Sequence, residues 1–268
     1  VITDVVQRWE GGRERYRPAG EVINTAEFEV ARGTDAEARA FVAEHHYAKT
    51  CGPTAHPFML YRHGELVGVG AFGPPPSMAA HRAIFPTLAI TQAVTLGRFV
   101  LRHEVAGNGE SWFIARCFDM LRTAGVVAVE SCADPVRRVA LDGAVRHRGH
   151  VGTIYQATNG RYIGRTNAAT LRMLPDGTCL SNRAQGKLVR GERGSDATAR
   201  HLEALGADAL GDRTGEAALE WLRYWRPRLT TSLRHPGNHR YVWCLDKRRR
   251  AEILKAPALA YPKIQIAA

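Results

Sequence analysis

PFMLYRHGELVGVGAFGP, residues 57–74, consists of two alternating apolar runs joined at His63-Gly64. Runs of that length on either side of a turn dipeptide predict an antiparallel β-hairpin with a two-residue loop. Upstream, DAEARAFVAEHHY (35–47) places Ala38, Phe41, Val42 and His45 at helical spacing, with Asp35 as its cap. Downstream, PPPSM breaks the chain, and AVTLGRFVL (93–101) predicts a strand around Arg98. HEVAGNGES then predicts a glycine-containing turn, SWFIARCFDMLRTAG (111–125) a helix, and VVAVESCADP (126–135) a buried strand ending in polar residues. Beyond Gly149 come a short helix in HVGTIYQATN, a strand in RYIGRT, and a second hairpin in ATLRMLPDGTCLSN turning at Asp176-Gly177.

Residues 183–237 break this pattern with glycine and charge clusters and two helical stretches, near 195–205 and 214–226. NHRYVWCL (238–245) returns as an apolar strand, followed by the basic segment DKRRRAEILK. The expected organisation is a loosely packed arm (1–25), a catalytic core (26–182), a basic helical insertion (183–237), and a final strand with a basic tail (238–268) that completes the core. Helices alternating with strands and hairpins predict an α/β class: a mixed, mostly antiparallel sheet flanked by helices, with the helical insertion before the last strand.

The chain has 268 residues, a formal net charge of +11 and 45% hydrophobic residues. The charge is lopsided: residues 182–268 carry a net +8 and residues 1–181 only +3. An excess concentrated in one third of the chain favours an anionic partner and places phosphate contact there. No apolar run is long enough to cross a bilayer, and the first residues lack the basic-then-apolar layout of a secretory signal, so the expected location is the cytoplasm. Five cysteines lie far apart with no CxxC pair, which points to neither a thiolate zinc site nor a disulfide framework.

Four segments could carry chemistry. The first is the turn Gly107-Asn108-Gly109, which leads from a strand into a helix beginning near Ser111; converging N–H groups at a helix start suit a phosphate or diphosphate. The second is SCADP, which puts Asp134 at the C-terminal end of a buried strand, where an α/β sheet gathers its ligands and a carboxylate can take a proton. The third is Tyr155 on the short helix, placed to donate a proton. The fourth is His45-His46-Tyr47; adjacent histidines point to different faces of a helix and seldom chelate one metal, so no metal ligand set is assigned.

Taken together, His46-Tyr47, LVGVGAFGPPPS, TLGRFVL, GNGES, SCADP, GHVGTIYQATN and HPGNHRYVW resemble, in content and order, the phage Mom family of DNA adenine modification proteins. The resemblance spans residues 35–181 and 235–263. It implies a GNAT-like acyltransferase fold and conversion of adenine in duplex DNA to an N6-carbamoylmethyl derivative, which protects phage DNA from host restriction. It also implies functional positions at His46, Tyr47, Arg98, Ser111, Asp134 and Tyr155. A GNAT-like fold implies acetyl-CoA or another acyl donor at Gly107, Asn108, Gly109 and Ser111, and the family resemblance alone brings in iron. The loop departs from the GNAT pattern in one respect: Glu104 stands three residues before Gly107, where an arginine or glutamine is expected.

A paired, stacked adenine must be extruded before its exocyclic amine can react, at a cost of a few kcal/mol. Phosphate contacts offset that cost. The expected DNA-binding residues are Arg223, Trp225 and Arg226, within WLRYWRPR, together with Arg240, Lys247, Arg248 and Arg249. Trp221, Tyr224 and Trp225 read equally well as a stacking platform or as the buried face of an insertion helix. Two rival readings stand beside this one. A GNAT N-acetyltransferase acting on a small amine or a protein would bind acetyl-CoA and need no DNA. A non-catalytic DNA-binding protein would bind duplex without altering its nucleosides.

Overall fold

A computed structural model describes residues 4–11 and 13–263. The elements begin with β1 (Val5–Glu10), β2 (Arg13–Pro18), β3 (Phe28–Arg32), α1 (Asp35–His45), β4 (His56–Arg62), β5 (Glu65–Gly73) and α2 (Met78–Ile84). They continue through β6 (Ala93–Leu101), α3 (Gly109–Thr123), β7 (Ala128–Ala133), β8 (Arg138–Val139), β9 (Val145–His147), α4 (Thr153–Ala157) and β10 (Arg161–Arg165). The last are β11 (Ala169–Met173), α5 (Asn182–Arg190), α6 (Ser195–Ala204), α7 (Gly215–Leu229), β12 (Thr231–His235), β13 (His239–Cys244) and α8 (Arg250–Ile253).

The hairpin read from residues 57–74 is β4–β5, turning through His63 (φ 49°) and Gly64 (φ 82°). It lies inside a seven-stranded sheet of order β10-β13-β7-β6-β5-β4-β3. Every neighbouring pair in that sheet is antiparallel except β6 and β7, which run parallel and are joined through α3. The mixed, mostly antiparallel sheet expected from the sequence is therefore present, and the helical insertion precedes β13. Alternation along the strands sorts the core onto two faces. Phe58, Leu60, Phe72 and Leu96 join Phe113, Ile114, Cys117 and Leu121 of α3. Met59, Val69, Ala71 and Val100 pack under Ala38, Phe41 and Val42 of α1.

The chain divides into two compact units. The first holds Val1–Pro135, Gly149–Thr166 and Asn238–Ala268, and thus the large sheet. The second holds Val136–Arg148 and Asn167–Gly237. Its core is Leu174, Leu180, Leu188, Leu202, Trp221 and Leu222, from α5, α6, α7 and their connections.

Several local expectations need correction. α1 is capped by Thr34, not Asp35: Thr34 and Glu37 form a reciprocal capping box, which satisfies two helix-end donors where an aspartate would satisfy one. The helix α2 fills the stretch after PPPSM, started by the Ser77 side chain on the Ala80 N–H. The longer stretch of the second unit runs from Asn167 to Gly237 and includes α5, a helix the sequence reading missed. The chain does turn back at Asp176-Gly177, closed by the Leu174 N–H on the Thr178 carbonyl, the Leu180 N–H on the Arg172 carbonyl and the bridge Met173–Cys179, but no second strand follows and the strand partner of β11 is the distant β12. Within the described part of the arm, β1 and β2 form a hairpin, and Arg8 is 5% exposed.

α4 starts at Gly152 with φ +77°, where a Cβ would lie 2.8 Å from the rings of both Tyr155 and Tyr241. Left-handed backbone and ring contact act together, so Gly152→Ala is expected to lower unfolding free energy by about 2–3 kcal/mol, measured by chemical denaturation.

Candidate active site

The parallel ladder between β6 and β7 runs from Ala93–Ala128 to Leu96–Ser131 and stops there. Beyond it β6 stays with β5 and β7 stays with β13, so the two central strands part as a fork. Gly97 marks the divergence. Ala71 pairs with Arg98 and Phe72 with Leu96, leaving Gly97 as the extra residue of a β-bulge. The Ser131 hydroxyl donates to the Leu96 carbonyl at 2.9 Å, so a side chain closes the apex where the backbone ladder ends.

Tyr155, brought in by α4, sits at this apex. Its ring packs against Tyr241 and Trp243 with centroids 5.4 and 5.5 Å away. Its phenol hydrogen-bonds Ser131, with Tyr47, Cys132 and Arg98 as its other electrostatic neighbours. Burial pushes the phenol pKa well above its ordinary value, with Ser131 pulling the other way. The group is therefore neutral across physiological pH, a proton donor and not a base. Burial also raises the Cys132 thiol to about 11, helped by Glu130 and opposed by Arg240. At neutral pH that sulfur is no nucleophile.

Arg98 follows the bulge and reaches across to the 46–55 loop, donating from Nε to the Thr50 carbonyl at 2.7 Å and from Nη1 to Gly97 at 2.6 Å. That loop carries Tyr47, whose ring meets His46 at 4.1 Å and Trp9 of β1 at 6.2 Å. His46 is buried, and its Nδ1 accepts from the Ala48 N–H at 3.0 Å. Asp134 is the first residue past β7; its carbonyl accepts from the His150 N–H at 2.8 Å, and the His150 ring lies 6.4 Å from Tyr155.

The structure thus gathers Tyr47, Arg98 and Tyr155 around one fork, with His46 behind Tyr47 and Asp134 at the adjoining strand end. Ser111 lies apart from the apex. Its hydroxyl donates to the Asn108 carbonyl, and it faces Asn159 across a cleft of about 210 Å³ between α3 and α4. Sequence reasoning gave no role to Ser131 or His150, although both lie in the segments it singled out, and it missed Trp9 altogether.

The loop Gly107-Asn108-Gly109, expected to hold a diphosphate, is already filled by the chain itself. The Glu21 carboxylate accepts from the Gly107 N–H at 3.2 Å, and the Glu21 carbonyl accepts from Asn108. Asn108 Oδ1 is occupied by the Ile23 N–H at 2.7 Å. Arg8 ties the loop down through Glu110 (2.5 Å), Arg102 (2.6 Å) and Ala106 (3.2 Å). These residues, as folded, do not fit a diphosphate. No three His, Cys, Asp or Glu side chains cluster as a metal site among the described residues.

Of the expected DNA-binding residues, Lys247 and Arg248 are exposed, while Arg249 pairs with Glu252 at 2.8 Å. Arg240 lies half-buried on β13, opposite Cys132 of β7, because β13 is an inner strand of the sheet. In the second unit the WLRYWRPR helix divides between both readings offered for it. Trp221 is buried and donates to Asp208, whereas Tyr224 is exposed under the Arg228 guanidinium, 3.6 Å from the ring centroid. Arg223 pairs with Glu216, Arg226 bonds Gln185, and Trp225 is half-buried beside Tyr224. No helix among the described residues is long and apolar enough to cross a membrane.

Among solved structures, the chain is similar to a GNAT family N-acetyltransferase (YhbS) from Escherichia coli in complex with CoA, at 17% identity and TM-score 0.31 over 41% of this chain and 64% of that one. It is also similar to a tandem GNAT protein from the clavulanic acid biosynthesis pathway, at 10% identity and TM-score 0.42 over 82% and 99% of the two chains. A third is a ribosomal-protein-alanine N-acetyltransferase from Brucella melitensis, at 12% identity and TM-score 0.32 over 54% and 88%. Among curated proteins, no relative matches. In the family comparison, residues 27–263 match the model of the Mom protein family. The chain therefore belongs to the Mom protein family, and is a transferase-class enzyme that modifies adenine in DNA.

Proposed function

We propose that the chain attaches a carbamoylmethyl group to N6 of an adenine extruded from duplex DNA, using the fork between β6 and β7 as the reaction site. The single observation that carries this reading is Tyr155. A neutral phenol, anchored on Ser131 and flanked by Arg98 and Tyr47, stands where the two central strands part. An N6 amine is a poor nucleophile because its lone pair is delocalised into the ring. In the reaction a bond forms from N6 to the methylene carbon of the donor, the bond from that carbon to its leaving group breaks, and one N6 proton departs. Asp134 is assigned as acceptor of that proton, Tyr155 as proton donor to the leaving group, and Arg98 as the charge that holds the donor's carbonyl oxygen. Tyr47 and His46 form an aromatic wall on the loop side, able to take a stacked base.

Nucleoside mass spectrometry of DNA from cells expressing the chain tests the reading. The expected result is a deoxyadenosine heavier by a carbamoylmethyl group; unchanged nucleosides in the presence of folded protein would sink it. Asp134→Asn should lower the yield at least tenfold while leaving DNA affinity within twofold, because an amide cannot accept the proton.

The basic tail supplies the phosphate contacts in this reading. Lys247→Ala with Arg248→Ala should weaken duplex binding equally for all sequences and reduce the slope of log affinity against log salt by about 2. A salt titration by fluorescence anisotropy reads both effects, and an unchanged slope would remove these residues from the interface.

A further inference from the structure

Two carboxylates stand at the start of α3, the place where this topology otherwise presents N–H groups to an anion. Glu21, from the arm, takes the Gly107 N–H and is itself held by Arg17 at 2.6 and 2.7 Å, with Arg17 also donating to the His103 carbonyl at 2.8 Å. Glu110, in the first turn, points one oxygen at Arg8 and leaves the other buried without a partner. The backbone path is closed as well, since a Cβ at Gly107 would collide with the Pro18 carbonyl. Glu104, close by, pairs with Arg102 at 3.1 Å. An incoming diphosphate would find the N–H groups spent and the neighbouring arginines already paired with carboxylates, and would have to displace the arm.

We infer that this enzyme takes its transferable group from a carrier with no nucleotide diphosphate seated at Gly107–Gly109, the arm carboxylate of Glu21 standing permanently in that seat. The donor is thus a small molecule that enters the fork by its reactive end alone. The cleft lined by Ser111 and Asn159 remains open to its uncharged portion. Arg17 and Glu21 are then positioning residues of a sealed loop rather than ligands.

The test compares CoA with pantetheine, which lacks the nucleotide diphosphate, by isothermal titration on the full chain. CoA is expected to bind no more than threefold tighter than pantetheine, and adenosine 3′,5′-bisphosphate to compete with neither. Arg17→Ala with Glu21→Ala frees the Gly107 N–H while keeping Arg8 and Glu110. That variant should exchange its Gly107 amide with deuterium faster and favour CoA over pantetheine at least tenfold. A tenfold preference for CoA in the wild type, competed by the bisphosphate, overturns the inference. So does a variant with a fast-exchanging Gly107 amide and no gain for CoA. Should the double variant fail to fold, the wild-type titration decides alone. None of these readouts depends on adenine modification, so a chain that leaves nucleosides unchanged would sink the proposed function and leave this comparison standing.

Discussion

Tyr155→Phe is expected to cut adenine modification by about a hundredfold to a thousandfold, the range for loss of a positioned general acid. The substitution removes one oxygen and keeps the ring that packs on Tyr241 and Trp243, so the sheet should stay intact. Ser131 loses a polar neighbour but keeps its own donation to Leu96, which limits the stability cost to about 1 kcal/mol. The raised phenol pKa adds a second signature: activity should show no loss from phenol ionisation between pH 7 and pH 10, where an ordinary tyrosine begins to lose its proton. Single-turnover assays across that range, with product measured as modified deoxyadenosine, read both effects. A Tyr155→Phe enzyme of wild-type rate would take the proton-donor role away from this side chain.

Arg8→Ala is expected to cost about 3–5 kcal/mol of stability, the penalty for leaving one partner of a buried ion pair uncompensated. The Arg8 side chain is 3% exposed and that of Glu110 12%, and Arg8 also donates to two carbonyls of the loop. Burial already holds the Glu110 carboxyl above the usual range against the pull of Arg8. Without Arg8 it moves higher still. For a carboxyl whose folded value lies above its unfolded one, the stabilising proton is fully bound below the unfolded pKa and is lost as pH rises through the folded pKa. The Arg8→Ala deficit should therefore be smaller near pH 4 than near pH 8. Urea denaturation at the two values checks it, and a deficit that grows toward acid would contradict the burial of Glu110 as the cause.

The parts of the fold that read well from the sequence are those whose pattern is local. The β4–β5 hairpin, β6, α3 and β13 each carry their own periodicity, and a turn dipeptide or a glycine marks their ends. The errors lie where a partner is far away in the chain. β11 was assigned to the nearest following segment, but its register partner, β12, comes almost sixty residues later. The arm looked irregular because half of what orders it, the loop around Gly107, is contributed by another region. The same division holds at the site. Tyr155, Arg98 and Asp134 could be singled out as polar groups on predicted elements, whereas the bond joining Tyr155 to Ser131 depends on a helix and a strand meeting in space. The GxG turn was legible as a turn, but the acid lodged in it was not, since no local rule ties Glu21 to Gly107.

The placement of β13 between β10 and β7 has a consequence for how the protein is made. A ribosome must add roughly a hundred residues after β7 before that strand's partner emerges, on the order of ten seconds at bacterial elongation rates. Until then β7 shows one unpaired edge, the kind of surface that recruits neighbouring chains. The segment translated in the interval, Asn167–Gly237, has its own hydrophobic centre and can consolidate while the sheet waits. Pausing within that interval should therefore set the yield of intact enzyme more strongly than pausing anywhere downstream.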